Sequence, residues 1–318
     1  MHYLRIGFLI TLFCLESGCG AIQFVSYTPN TEKDKWAEWI ECLGPIAHGD
    51  ISHSVFCLEG EKTKPPVLLL HELNGLTEET LYYATELSND FTVYLPMLFG
   101  NKGSDSLVWG LLAYWWPYGE WKTLPNESSL IVVWLRELVQ RIHDKHETRP
   151  IRIIGNCLTG ALPLALLGDP KVDAVVVAQP ALPMKFFGRY TPEDRVSLEL
   201  SEFDLNLAHA SEAKIFALRF ETDMISPSEK HKRLQNDFGT RLISGEICAT
   251  DYQPEGELVT AHSTLIGEKY TVGPIRHLSR KKRDEVRNFL LQHFPDGQIE
   301  NSVCSSKSSR EKETTAAD

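Results

Sequence analysis

Between residues 64 and 293, short apolar runs alternate with stretches whose apolar positions recur every three or four residues. The run over 66–70 (Pro-Val-Leu-Leu-Leu) predicts a buried strand, and 78–89 a helix with Leu81, Ala84, Thr85 and Leu87 on one stripe. A strand over 91–95 ends at Pro96, and 128–146 is a long helix carrying Ile131, Trp134, Leu135, Leu138 and Ile142. Strand 151–154, helix 158–167 and strand 172–178 follow, the last a Val/Ala run expected of a central strand covered on both faces. Strands over 215–220 and 241–247 flank a helix over 228–237, and 281–293 closes the pattern as a helix. Strands alternating with helices at this spacing predict an α/β fold with a mostly parallel sheet.

Two stretches break the alternation. Residues 104–125 hold Trp109, Tyr114, Trp115, Trp116, Tyr118 and Trp121, a Trp-rich insertion read either as a wall of a binding site or as packing against the sheet edge. Residues 183–213 form a second, partly charged insertion. No internal repeat or linker divides 24–296, which reads as one domain.

The ends read differently. Arg5 followed by a ten-residue apolar run over 6–15 fits the core of a secretory signal and is too short to span a membrane, so the sequence predicts export. Leu15-Glu16-Ser17-Gly18-Cys19 resembles a bacterial lipoprotein cleavage box, making 1–19 a signal and Cys19 the lipidation candidate. Glu16 stands where an aliphatic residue is usual, and cleavage near 18–21 to give a secreted or periplasmic protein is the alternative. At the other end 297–318 is expected to be a disordered tail, with Cys304 in it an incidental thiol.

Lys plus Arg number 32 against 43 Asp plus Glu, a net charge of −11 that argues against a nucleic-acid partner. Seven cysteines are too few for a disulfide scaffold. Cys42 and Cys57 could pair, but spacing cannot fix a partner. No close His/Cys/Asp cluster has metal-ligand spacing, so neither metal nor organic cofactor is expected.

The chemistry centres on Gly155-Asn156-Cys157-Leu158-Thr159-Gly160, which sits between a predicted strand and helix. A nucleophile elbow needs this layout: a sharp turn exposes the side chain, small neighbours relieve crowding, and the following helix start favours a thiolate. Thr159 occupies the place where the second glycine of the common motif falls. Asp223 follows the strand over 215–220, and His262 lies in a loop ahead of the last helix. Nucleophile, acid and histidine, spaced by 66 and then 39 residues, follow the chain order of α/β-hydrolases. His231, His277 and His293 are read as surface residues on or near helices.

With His71-Glu72-Leu73-Asn74-Gly75 after the first buried strand, Pro96-Met97-Leu98-Phe99-Gly100, Gln179-Pro180-Ala181-Leu182-Pro183 and Ala261-His262-Ser263, the sequence resembles the dienelactone hydrolase family of α/β-hydrolases over about residues 65–295. The resemblance implies an α/β-hydrolase fold and a hydrolase acting on a small-molecule lactone or carboxylic ester through an acyl-enzyme. It implies Cys157 as nucleophile, His262 as general base and Asp223 as the acid that orients it. Glu72 would approach the thiol and hold it protonated at rest; capping of the helix that begins near Thr77 is the alternative. The backbone N–H groups of Leu73 and Leu158 would form the oxyanion hole. Family members that cleave dienelactone hold the substrate carboxylate with arginines, one just after the catalytic histidine, and 263–267 contains none. A non-catalytic ligand-binding protein on the same fold is the alternative function.

Overall fold

The computed structural model describes residues 35–292, with short interruptions, together with 301–304. Nine strands and nine α-helices are found among the described residues. The strands are β1 (Trp39–Glu41), β2 (Ile46–His48), β3 (Ile51–Leu58), β4 (Pro66–Leu69), β5 (Thr92–Met97), β6 (Ile151–Asn156), β7 (Val172–Ala178), β8 (Lys214–Phe220) and β9 (Leu242–Ile247). The helices are α1 (Glu78–Leu87), α2 (Leu107–Trp115), α3 (Leu130–Lys145), α4 (Leu162–Leu166), α5 (Pro192–Val196), α6 (Glu202–Ala210), α7 (Ser228–Phe238), α8 (Ala249–Tyr252) and α9 (Pro274–Leu291).

The sheet runs β1-β3-β5-β4-β6-β7-β8-β9. From β5 to β9 every pairing is parallel, while β3 joins β5 and β1 joins β3 antiparallel. The chain leaves β4 for β5 on one side and returns to β6 on the other, so the order reverses between β4 and β6. In open α/β sheets that reversal opens a crevice beyond the carboxyl ends of the strands.

Successive side chains of a strand face opposite layers, and the apolar runs feed two cores. Leu68, Leu70, Ile153, Val175 and Val177 pack on the layer with α3 and α4. Val67, Leu69, Ile154, Ala174 and Val176 pack on the layer with α1 and α9. This two-sided burial is why these strands read as continuous apolar runs rather than alternating ones. Trp134 of α3 is fully buried and donates its indole N–H to the Ile46 carbonyl at 2.8 Å. Arg283 of α9 donates to the Leu265 carbonyl and to the Glu86 carboxylate, each at 2.6 Å, clamping α9 to α1 and to the loop that carries His262.

Several expectations change. The predicted helix 158–167 is a 3-10 turn, Cys157–Thr159, followed by the shorter α4, because the elbow needs a tight turn before a regular helix starts. The closing helix starts at Pro274, before the expected 281. The antiparallel β1–β3 were not predicted: β1 and β2 have three residues each, too few to show a period, and β3 has little buried outside Val55 and Cys57. The Trp-rich insertion contains α2, and the second insertion contains α5 and α6.

The expected tail is ordered over Asn301–Cys304. Ser302 donates its N–H to the Ser244 carbonyl and accepts from Glu246 N–H, pairing with the outer edge of β9. A disulfide joins Cys304 to Cys248, and another joins Cys42 to Cys57. Polar composition argued for disorder, but backbone pairing and a covalent link need no apolar side chains. Residues 1–34 and 305–318 lie outside the described part, and with them the signal, Cys19 and the rest of the tail. No helix among the described residues is long and apolar enough to cross a membrane.

Candidate active site

Four loops at the carboxyl ends of β4, β6, β7 and β8 meet beside the loop that precedes α9. Cys157 follows β6 directly with φ +52°, a left-handed conformation that a non-glycine residue adopts only under constraint. Its carbonyl accepts from Gly160 N–H and Ala181 N–H, both at 2.9 Å. The two glycines of the motif are required by close approach. A Cβ on Gly155 would strike the Thr159 carbonyl and lie 2.6 Å from Pro163 Cδ, and one on Gly160 would lie 2.7 Å from the Ala178 carbonyl oxygen. Thr159, where the motif departs from its usual glycine, uses its hydroxyl at 3.0 Å from Asn156 N, Asn156 O and the His71 carbonyl, tying the elbow to the loop after β4.

Asp223 is almost fully buried, and each of its oxygens is engaged. Oδ1 accepts from Ile225 N–H and Ser226 N–H at 2.9 Å, and Oδ2 lies 2.7 Å from His262 Nδ1. A carboxylate receiving two backbone donors can only accept, so Nδ1 carries a proton, and when the ring is neutral Nε2 keeps its lone pair. Nε2 is buried and receives no hydrogen bond among the described residues. Burial pulls the imidazole down, but the charges of Asp223 and Cys157 outweigh it and hold His262 well above its ordinary value.

Arg219 holds the Asp223 loop from behind, and Lys230 ties α7 to the loop after β7. Arg219, buried on β8, pairs with Glu246 on β9 and donates to the Ser226 and Glu221 carbonyls at 3.2 and 3.0 Å. Lys230, fully buried on α7, donates to the Leu182 carbonyl, and burial pulls its ammonium down to about 8 against the pull of Glu199, Asp194 and Asp223. A hollow of about 550 Å³, lined among others by Met184, Tyr190, Asp223, Met224 and Ile225, opens beside this loop without reaching Cys157 or His262.

Glu72 follows β4. Its Oε1 accepts from Ser263 Oγ at 2.6 Å and Gln179 Nε2 at 3.1 Å, so it joins the loop next to His262. Burial raises its pKa, while Ser263, the His262 charge and Gln179 pull the other way. The helix-capping alternative fails, because Thr77 caps α1 through its own hydroxyl, 3.3 Å from Thr80 N. His71 stabilises the same loop: Nδ1 donates to the Glu72 carbonyl at 2.7 Å, and Nε2 accepts Leu98 N–H at 3.1 Å. Acceptance from Leu98 requires the neutral ring, and burial pulls His71 down to about 4.

Leu73 and Leu158 flank the elbow, both buried. Gly110 of α2 packs so closely on the Leu73 carbonyl that no Cβ fits, placing the Trp-rich insertion against this loop.

The residues picked from the sequence thus converge, and others join them that the sequence reading gave no role. Gln179 follows β7 directly with φ +36°, Ser263 and Thr264 follow His262, and Arg219 backs the acid loop. A signal for Gln179 was present: a polar residue directly after a seven-residue Val/Ala-rich strand and before Pro180. His231, read as a surface residue, is buried with Nε2 2.7 Å from Ser244 Oγ, because α7 turns that face onto β9. His277, read as a surface residue, is exposed on α9, and His293 lies outside the described residues. The one described group of ligand-type side chains, Glu221, Cys248 and Cys304, has both cysteines in a disulfide and so offers no thiolate.

No family model and no curated protein sequence matches the chain. Solved structures do match. A candidate dienelactone hydrolase from Klebsiella pneumoniae aligns with TM-score 0.53 at 12% identity, over 79% of this chain and 97% of that one. An esterase of Pyrococcus furiosus aligns with TM-score 0.54 at 14% identity, over 84% and 97%. At such identities the shared property is the fold alone. The chain has the α/β-hydrolase fold.

Proposed function

We propose that the protein hydrolyses a small-molecule carboxylic ester or lactone, with Cys157 as nucleophile, His262 as base and Asp223 as the residue that orients it. The observation that carries this reading is the pairing of an elbow cysteine at φ +52° with a histidine whose Nδ1 is bound to a buried carboxylate. That tautomer leaves Nε2 to take the thiol proton. The thiolate attacks the carbonyl carbon, and the Leu73 and Leu158 N–H groups receive the oxyanion, each contributing about 3 kcal/mol. Collapse expels the alcohol, which takes its proton from His262, and leaves a thioester on Cys157. Water, deprotonated by His262, then releases the acid and restores the thiol.

Glu72 in this reading holds the resting thiol protonated, through repulsion between carboxylate and thiolate, so the proton passes to His262 only once substrate is bound. We also infer that the N-terminal segment directs export and that acylation of Cys19 anchors the acidic body to a membrane.

The test is turnover of an activated ester with mass analysis of the quenched enzyme. The wild type shows a burst and an acyl adduct on the peptide containing Cys157. Cys157→Ala and His262→Ala each abolish turnover, and the double variant is hardly worse than either. Near-normal turnover by Cys157→Ala rules out this mechanism.

A further inference from the structure

We propose that the outer face of α2, formed by Val108, Trp109 and Leu112, docks on the surface of a neutral phospholipid bilayer, beside the point where the N-terminal segment reaches the body. Its tether is the Cys19 anchor inferred above, and the ester chemistry has no part in it.

Helix α2 reads Leu-Val-Trp-Gly-Leu-Leu-Ala-Tyr-Trp and carries no charged residue. A helix apolar on every side is normally covered on every side. This one is not. At 3.6 residues per turn Val108, Leu112 and Trp109 share one arc of about 100°, and they are 68%, 51% and 60% exposed. Gly110 faces the other way, where a Cβ would strike the Leu73 carbonyl and lie 2.9 Å from the Phe99 ring. One exposed apolar side chain is ordinary, but three on the outer arc of an uncharged helix make a surface that is costly to leave in water.

Hydrogen bonds hold the start of the helix on the loop after β4. Ser106 N–H donates to the Asn74 carbonyl at 2.8 Å, and Gly103 N–H to the Leu76 carbonyl at 2.7 Å. Asp105 accepts from Asn74 Nδ2 and from Leu107 N–H, both at 3.0 Å. These bonds keep the inner arc on the loop and the outer arc outside the fold.

The place where the chain enters the body points to a bilayer as the occupant. Lys102, five residues before α2, donates its ammonium to the Trp36 and Trp39 carbonyls at 3.0 and 2.6 Å. A Cβ on the next residue, Gly103, would lie 3.4 Å from the Trp36 ring. The N-terminal end of the described chain therefore rests on the stretch that leads into α2. Fifteen residues, 20–34, separate Cys19 from Lys35, and a chain of that length spans at most about 54 Å. Acyl groups on Cys19 thus tether the protein from the side that carries α2. Trp is favoured where apolar and aqueous phases meet. The net charge of −11 gives anionic lipid no attraction, so neutral headgroups are the partner.

The experiment mixes the full-length protein, with its native N-terminus, with vesicles of phosphatidylcholine brominated on the acyl chains. Sedimentation reads attachment, and bromine quenching of Trp fluorescence reads insertion of the face. The wild type sediments and is quenched. Trp109→Phe still sediments but loses about half of the quenching or more, because Trp36, Trp39, Trp121 and Trp134 are buried. Val108→Asp combined with Leu112→Asp removes the quenching while sedimentation and melting temperature hold. Quenching that survives Cys19→Ser supports the docking face and overturns the acyl anchor alone. Sedimentation without quenching of Trp109 overturns the docking face and leaves the anchor, and loss of both overturns both. A dimer in solution that the Asp variants dissociate, with Trp109 unquenched by lipid, assigns the face to a second copy and overturns the proposal.

Discussion

Asp223 and His262, 39 residues apart in the chain, meet at 2.7 Å, with the second oxygen of the carboxylate held by two backbone N–H groups. Asp223→Asn keeps the size of the side chain but can turn its NH₂ toward Nδ1, forcing the proton onto Nε2. Ester turnover should fall about a thousand-fold or more, with the far-ultraviolet spectrum unchanged.

The same pair sets a pH dependence. The folded-state pKa of His262 is raised, so its contribution to stability is full below about 6.5, the unfolded value, and is lost as pH rises through the folded value. Asp223→Asn removes the main attraction. The difference in melting temperature between wild type and variant should therefore shrink as pH rises from neutrality, and a constant difference would contradict the ion pair.

His71 and His231 act in the opposite direction. Burial pulls both down from 6.5 to about 4, so the unfolded chain takes up protons first as pH falls through that window. Stability should drop between about pH 6.5 and 4. His231→Gln, which can still bond Ser244, should flatten part of that drop in urea titrations.

At the elbow, Gly160→Ala places a methyl 2.7 Å from the Ala178 carbonyl oxygen and from Pro180 Cα, backbone that cannot give way cheaply. We expect about 1–3 kcal/mol of destabilisation. Activity should fall further than this accounts for, because the turn that aims Cys157 shifts.

The disulfide between Cys248 and Cys304 closes a loop of 56 residues and pins the ordered tail segment to β9. Cys304→Ser should cost roughly 2–4 kcal/mol in denaturant melts. Ester turnover should persist if the Arg219–Glu246 pair keeps the acid loop in place.

The sequence by itself determined the layering and marked the candidate site. Apolar runs such as 172–178 could only be strands buried on both faces, and the amphipathic stripe through Ile131, Trp134 and Leu138 could only be a helix lying on them. The glycines at 155 and 160 marked the elbow because only their lack of a side chain admits the Thr159 and Ala178 carbonyls. Tertiary structure decided what depends on contacts between distant residues. The polar segment Asn301–Cys304 is ordered because an open strand edge offers backbone partners, which composition cannot show. His231 is buried because α7 packs that face onto β9, although helix polarity suggested solvent. Ser263 and Glu72 stand 191 residues apart, and only the parallel alignment of β4, β6 and β7, with their carboxyl ends beside the loop of His262, brings them, with Gln179, into one network. Local pattern records what a residue prefers, whereas hydrogen bonds across the sheet record where the fold has put it.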